Sequence, residues 1–190
     1  MASKKILITG AASGIGKALA EWADEQGDTS LILVDRDEAG IFALIDSLSC
    51  ETMPIAGDVS SEDLWLSDVM RDSLQGLTGA ALCAGVSDAG EIRDMHFDSW
   101  KRIMSINLDG MFLAFQACLR ALTEGGALIA VSSATARKTV SGTAAYGASK
   151  AALEQLVRVA AIESAMKGVT VNAVAPGGVK TPMFSSQEWF

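Results

Sequence analysis

The sequence predicts an α/β fold, a three-layer doubly wound parallel sheet of about six strands with helices on both faces. Three observations lead to this prediction. Apolar, β-rich stretches alternate with helix-like ones along the whole chain, the strands are apolar on both faces, and a glycine-rich turn follows the first strand. The 190 residues suffice for a real core, so we expect residues 1–190 to form a single domain.

The predicted elements alternate in order along the chain. The strand candidates are "KKILITG", "SLILVD", "TMPIAGDV", "TGAALCAG", "GGALIAVSS" and "VTVNAVAP". The helix candidates span residues 15–27, 38–48, 64–74, 100–122 and 144–166. Because the strands are joined through helices, right-handed crossovers produce a doubly wound sheet. No repeat or linker divides the chain.

Composition narrows the classes of function. Net charge is −8 with a pI near 4.6, which argues against binding nucleic acid through its phosphates. The cysteines are three in number, far apart and without a CxxC pair, as expected in the cytoplasm. We expect no membrane span, because no apolar run approaches the ~20 residues that one needs. With only one histidine, His96, we also expect no metal site.

The glycine turn after the first strand predicts a dinucleotide site. In "TGAASGIGKAL", Gly10, Gly14 and Gly16 would let a diphosphate approach the backbone at a helix N-terminus. Asp35 ends the second strand, where a carboxylate accepts hydrogen bonds from the adenosine ribose and repels a 2′-phosphate. This favours NAD, although the neighbouring Arg36 keeps NADP possible. A phosphate-binding P-loop does not fit, because Ala18 stands where Ser or Thr would hold magnesium.

A second motif predicts acid/base chemistry. Tyr146, the only tyrosine, and Lys150 are spaced to share one helix face. An adjacent ammonium would stabilise the phenolate and lower the pKa of the tyrosine. Ser133 ends the fifth strand, at the edge where such sheets bind ligands, and its hydroxyl could hold a substrate oxygen. A YxxxK pattern alone is common on helix surfaces, so the prediction depends on the three features together.

Seven motifs in order resemble those of the short-chain dehydrogenase/reductase family, whose domain is a Rossmann fold. They are "TGAASGIG" (9–16), "GDV" (57–59), "CAG" (83–85), "INLDG" (106–110), "VSS" (131–133), "YGASK" (146–150) and "PGGVKT" (176–181). The resemblance implies an NAD(P)-dependent oxidoreductase that moves a hydride between nicotinamide and a secondary alcohol or ketone. It makes Tyr146 the acid/base, Ser133 the group that orients the substrate oxygen, and Lys150 the holder of the nicotinamide ribose. Asn107 would fix a proton-relaying water.

The resemblance also implies where the cofactor contacts the chain. The glycine loop would hold the diphosphate, the "GDV" motif the adenine, the "CAG" motif a ribose, and the "PGGVKT" segment the carboxamide. The implied cofactor residues are Gly10, Ser13, Gly14, Ile15, Gly16, Asp35, Arg36, Asp58, Val59, Ala84, Gly85, Tyr146, Lys150, Pro176, Gly177, Val179 and Thr181.

The sequence departs from the family pattern at two places. Leu82 and Cys83 replace two common asparagines, for which we expect only a structural adjustment. The chain also ends soon after "PGGVKT", so we expect a C-terminally shortened member whose substrate pocket has less cover. This keeps an alternative open, a non-catalytic NAD(H)-binding regulatory or scaffolding protein. Apolar residues on several faces of helices 100–122 and 144–166 predict a homodimer or homotetramer.

Overall fold

Six parallel strands form one sheet in the computed structural model, which describes residues 4–185. The strands are β1 (Lys4–Thr9), β2 (Thr29–Asp35), β3 (Glu51–Ala56), β4 (Gly79–Leu82), β5 (Ala127–Val131) and β6 (Thr170–Val174). Their order is β3-β2-β1-β4-β5-β6, and every pairing is parallel. This is the doubly wound arrangement predicted from the alternating pattern.

Helices cover the sheet and bury two apolar clusters. They are α1 (Gly14–Glu25), α2 (Glu38–Ile45), α3 (Glu62–Leu66), α4 (Asp68–Ser73), α5 (Phe97–Met104), α6 (Gly110–Ala121), α7 (Ala144–Ser164) and α8 (Pro182–Ser185). The larger cluster joins α3, α4, α6 and α7 to one sheet face, and the smaller joins α1 and α2 to the other. On that second face Ile129 and Val174 of β5 and β6 are 42% and 52% exposed.

Two predicted helices are interrupted. The helix predicted at 64–74 is two short helices, because Ser67 adopts an extended backbone (φ −62°, ψ 147°). Its hydroxyl accepts a hydrogen bond from the Met70 amide at 3.1 Å and so caps α4. The helix predicted at 100–122 contains a π-helical turn, Ser105–Asp109, between α5 and α6. That turn contains Asn107.

The loops after β1 and β4 meet at the carboxyl edge of the sheet. Strand order reverses here, since β1 lies between β2 and β4, and ligands of such sheets bind at this switch point. Gly10 has φ +67°, and a Cβ there would lie 2.9 Å from the Ala84 backbone. Only glycine fits this close approach, so the first glycine of the loop fixes the crevice between β1 and β4.

Candidate active site

A cavity of about 460 Å³ lies along the carboxyl edge of the sheet. The segments that follow all six strands contribute to its wall. Of the residues predicted as cofactor-binding or catalytic, all but Asn107 line it. The fold therefore brings together, in one cavity, predicted residues from six separate segments of the chain.

The glycine loop forms one end of this cavity and the first turn of α1. A Cβ on Gly16 would lie only 2.2 Å from the Gly10 carbonyl oxygen, so backbone meets backbone here. Ser13 is the N-cap of α1, and its side chain makes no capping hydrogen bond. The amides at a helix start are unpaired within the helix and carry partial positive charge. This loop therefore fits an anionic diphosphate without any basic side chain.

Asp35 is fixed in place beside this loop. Its two carboxylate oxygens accept hydrogen bonds from the backbone amides of Ala12 and Asp37, each at 3.0 Å. Arg36 is exposed and also lines the cavity. Asp58 lies on the same side, and its Oδ1 accepts hydrogen bonds from the Ser60 amide and hydroxyl at 2.9 and 2.7 Å. The end of the cavity next to the glycine loop, β2 and β3 is therefore lined by two carboxylates and one guanidinium.

Tyr146 and Lys150 lie one turn apart on α7, at the opposite end. Lys150 is only 3% exposed, and its Nζ donates a hydrogen bond to the Val131 carbonyl at 2.8 Å. The same Nζ lies 5.8 Å from the centre of the Tyr146 ring. Burial lowers the pKa of Lys150 from 10.5 to about 8. The shared helix face predicted from the spacing is present, and both residues line the cavity.

The predicted lowering of the tyrosine pKa does not occur in this structure. Burial raises the pKa of Tyr146, and a hydrogen bond with the Ser133 side chain only partly offsets that rise. The ammonium of Lys150 is itself desolvated and directed at the Val131 carbonyl. The spacing correctly placed the two residues, but sequence alone carried no information on the cost of burying the phenolate.

Ser133 is held at the end of β5 by a short turn. Its Oγ accepts hydrogen bonds from the Thr135 amide at 3.2 Å and from the Thr135 hydroxyl at 3.0 Å. Ser133 is buried and lines the cavity together with Tyr146. These contacts fix a hydroxyl beside the phenol, as the position of Ser133 predicted.

Asn107 lies behind the cavity wall. Its side chain accepts from the Val86 amide at 2.8 Å and donates to the Val86 carbonyl and the Ser149 hydroxyl at 2.8 and 3.2 Å. These contacts use both donor hydrogens and one of the two lone pairs of Oδ1, so the side chain positions the β4 loop against α7. Holding a water stays a prediction for this residue.

A buried carboxylate, which the sequence analysis missed, ties α7 to the segment after β5. Glu154 is buried, accepts a hydrogen bond from the Ser132 hydroxyl at 3.2 Å and pairs with Arg137 Nε at 2.8 Å. Ser132 and Arg137 lie on either side of the turn that holds Ser133. The network therefore fixes the position of Ser133 relative to Tyr146. Its signal in the sequence was a glutamate one turn after Lys150, on the same helix face.

The two departures from the family pattern have local effects. Leu82 is fully buried in the larger apolar cluster, and Cys83 lines the cavity. Burial raises the pKa of the Cys83 thiol to about 12, so it is protonated at neutral pH. Leu82 therefore packs in the core, and Cys83 contributes an uncharged side chain to the cavity wall. Within residues 4–185, no group of three metal-ligating side chains comes together.

The buried lysine predicts a pH dependence of stability. Lys150 loses its proton near pH 8 when folded and near 10.5 when unfolded, so the unfolded state binds more protons between these values. Lys150 should therefore raise the free energy of unfolding by about 1 kcal/mol as the pH rises from 7 to 9. Denaturant unfolding at pH 7 and 9 measures the free energy of unfolding of the wild type and of Lys150→Met. The difference between the two proteins should change by that amount. A pH-independent difference would contradict the burial of the ammonium.

Comparison with known proteins identifies the family. The family model described as short chain dehydrogenase matches residues 4–189. The chain belongs to the short-chain dehydrogenase family. Two curated members are similar over 96% of this chain. The 2,5-dichloro-2,5-cyclohexadiene-1,4-diol dehydrogenase LinX of Sphingobium indicum is 30% identical, with 76% of its length covered. Versicolorin reductase stcU of Emericella nidulans is 33% identical, with 72% covered.

Solved structures of short-chain dehydrogenases show the same fold. A Mycobacterium marinum short-chain type dehydrogenase/reductase has a TM-score of 0.87 and 30% identity over 96% of this chain and 75% of its own. A Brucella melitensis 3-oxoacyl-[acyl-carrier protein] reductase with bound NAD has a TM-score of 0.87 and 29% identity, covering 94% and 72%. A Burkholderia cenocepacia short chain dehydrogenase in complex with NADP matches at 0.87 and 29%, covering 95% and 76%.

This chain is therefore an NAD(P)-dependent oxidoreductase of the short-chain dehydrogenase family. The membership and the names of the relatives favour the enzyme over the non-catalytic binding protein that the sequence left open.

Proposed function

We propose that this short-chain dehydrogenase interconverts a secondary alcohol and a ketone with NAD as its preferred cofactor. The observation that carries the proposal is the arrangement of one cavity. A glycine-lined helix start forms one end, and a tyrosine, a serine and a buried lysine form the other. In this proposal one domain, residues 1–190, holds both the cofactor and the catalytic groups.

Tyr146 moves the proton in the proposed reaction. Its hydroxyl donates a proton to the substrate oxygen when a ketone is reduced and takes it back when an alcohol is oxidised. The nicotinamide supplies or accepts the hydride at the substrate carbon. Ser133 donates a hydrogen bond to the same oxygen and orients it. The elevated pKa of Tyr146 keeps the phenol protonated at neutral pH, which suits ketone reduction.

Lys150, which lines the cavity, and Asn107, which lies behind its wall, support this chemistry. Lys150 would donate hydrogen bonds to the nicotinamide ribose, and its positive charge would stabilise a phenolate when Tyr146 gives up its proton. Asn107 acts as a positioning residue, since its side chain is engaged by Val86 and Ser149.

The proposed cofactor extends along the carboxyl edge of the sheet. The first turn of α1 would hold its diphosphate, the segments at the ends of β2 and β3 its adenosine, and the segment after β6 its carboxamide. Residues would contact the diphosphate (Gly10, Ser13, Gly14, Ile15, Gly16), the adenosine (Asp35, Arg36, Asp58, Val59), a ribose (Ala84, Gly85) and the carboxamide (Pro176, Gly177, Val179, Thr181).

Turnover of a panel of ketones and secondary alcohols tests the proposal, with NADH absorbance as the readout. We expect at least one ketone to be reduced with NADH by the wild type. If NADH binds and every compound is left unchanged, the chemistry proposed here is wrong and the binding-protein alternative is favoured.

Cofactor choice should depend on Asp35. Its carboxylate is fixed by two backbone amides, so a 2′-phosphate beside it would meet an immovable negative charge. We expect the wild type to bind NADH more tightly than NADPH. Asp35→Asn should lower the ratio of the NADPH to the NADH dissociation constant about 10-fold. Arg36→Gln is the matched control and should weaken NADPH without affecting NADH. Equal affinities of the wild type for both cofactors would contradict the preference.

We propose that two or four copies associate through α6 and α7, within residues 100–122 and 144–166. A groove beside these helices is lined mainly by apolar residues, with two acidic ones also in its wall, and Phe112 is 47% exposed. The lining residues are Glu62, Leu108, Asp109, Phe112, Leu113 and Leu156. Light scattering at micromolar concentration should show a dimer or tetramer, and Phe112→Glu should shift it toward monomer. A monomeric wild type would contradict this assembly.

Location in the cytoplasm stays a prediction from the spacing of the cysteines. None of the helices formed within residues 4–185 has the length and apolarity needed to cross a bilayer.

A further inference from the structure

The charges lining the cavity are distributed unevenly. Five charged side chains line it, and the two carboxylates, Asp35 and Asp58, both follow strands at the adenosine end. Arg36 lies among them. At the Tyr146 end the charged lining residues are Lys138 and Lys150, and no carboxylate of the described chain lines that end. In a protein of net charge −8, this end of the cavity is locally cationic.

Lys138 is placed at this end by a well-anchored segment. Its backbone amide donates to the Ala134 carbonyl at 2.8 Å, one residue after Ser133. The preceding Arg137 is paired with the buried Glu154 at 2.8 Å. Lys138 itself has no carboxylate within ion-pair distance among residues 4–185. Lys138 is exposed and lines the cavity, and its backbone is fixed next to the turn after Ser133, so its ammonium is available to an anion.

The walls around Lys138 are largely apolar. Val86, Val140, Pro182 and Met183 line the same cavity, from the loops after β4, β5 and β6. A substrate that fills this space buries apolar surface, and its carbonyl must lie between Ser133 and Tyr146. Lys150 is buried and bonded to the Val131 carbonyl, so Lys138 is the exposed cation at this end. An apolar wall with one exposed cation selects an amphiphilic molecule with a single negative group.

We propose that the substrate of this site is an apolar keto acid or hydroxy acid, whose carboxylate pairs with Lys138 while its carbonyl or hydroxyl lies at Tyr146. The inference deepens the proposed function, because it specifies the substrate class of the same reaction. Lys138 then determines specificity without touching the reacting carbon. Since its ammonium is exposed to solvent, the pairing contributes a modest, salt-sensitive gain in affinity.

The test compares each carboxylate with its own neutral ester. The probes are 3-acetylbenzoate, 4-acetylbenzoate, 5-oxohexanoate and 6-oxoheptanoate, each paired with its methyl ester, so that the spacing between carbonyl and carboxylate varies. Dissociation constants are measured for the NADH-saturated protein, and turnover is measured separately. We expect at least one acid to bind roughly 5- to 10-fold more tightly than its ester, and Lys138→Met to remove that difference.

Lys167→Met is the matched control. Lys167 precedes β6 at the opposite edge of the sheet, so this variant loses the same charge far from the cavity and should keep the preference for the acid. The inference is overturned if the wild type binds no acid more tightly than its ester, or if both variants behave alike. Tight, Lys138-dependent binding without turnover of any probe would support the inference while counting against the proposed reaction, so the two failures are distinguishable.

Discussion

Replacing Tyr146 with Phe is expected to lower kcat by about 10²- to 10⁴-fold, the range that general acid/base groups contribute. The substitution removes one hydroxyl and keeps the ring that packs against the cavity wall. With the phenol gone, no carboxyl group within residues 4–185 lines the cavity beside Ser133, because Asp35 and Asp58 lie toward β2 and β3. The ammonium of Lys150 is directed at the Val131 carbonyl. Steady-state rates with a ketone and NADH measure the loss.

NADH affinity of the same variant is the control. The predicted contacts of Tyr146 with the cofactor are few, so the dissociation constant for NADH should change less than about 3-fold. Loss of rate with retained binding identifies a role in the chemical step. Wild-type turnover by Tyr146→Phe would show that another group moves the proton, and the proposed mechanism would be wrong.

Replacing Gly16 with Ala is expected to abolish useful cofactor binding and to destabilise the fold. The added Cβ would lie 2.2 Å from the Gly10 carbonyl oxygen and 2.8 Å from its carbonyl carbon. Neither atom belongs to a flexible side chain, so the loop must move away from α1. Overpacking of this kind costs about 1–3 kcal/mol, although alanine's higher helix propensity offsets up to ~1 kcal/mol of this. The shifted amides should weaken NADH binding at least ~10-fold.

Gly90→Ala provides the matched control, since a Cβ at Gly90 meets no atom within 4 Å. Unfolding in denaturant and NADH titration should show this variant close to wild type. If Gly16→Ala bound NADH as well as Gly90→Ala does, the glycine loop would not be the diphosphate site.

The sequence predicted the sheet well because its strands are apolar on both faces. All six predicted strand positions contain a strand, and the glycine turn lies at the reversal of strand order. The helix interruptions were missed for a physical reason. Ser67 caps α4 through its own side chain, and no glycine or proline marks the break. The π-helical turn at Ser105–Asp109 likewise carries no residue that would end a helix in sequence.

The sequence indicated which residues line the cavity better than it indicated their pKa values. Motif residues from six loops line one cavity, as the parallel sheet requires. The predicted lowering of the Tyr146 pKa was wrong in direction, because burial raises this pKa and burial depends on how the whole cavity wall packs. The spacing of Glu154 from Lys150 indicated its helix face, but it did not indicate its partners Ser132 and Arg137, which lie 22 and 17 positions away in sequence. The proposed role of Lys138 in binding a carboxylate was missed, because it depends on which charged side chains lie near it in the folded chain.

A crystal structure with NAD⁺ bound would test the account most directly. We expect the diphosphate against the first turn of α1, the nicotinamide ribose within hydrogen-bond reach of Lys150 Nζ, and the nicotinamide ring open toward the Tyr146 hydroxyl. A cofactor bound in the opposite direction, with its nicotinamide near Asp35, would contradict it. So would a Tyr146 side chain turned away from the ring toward solvent.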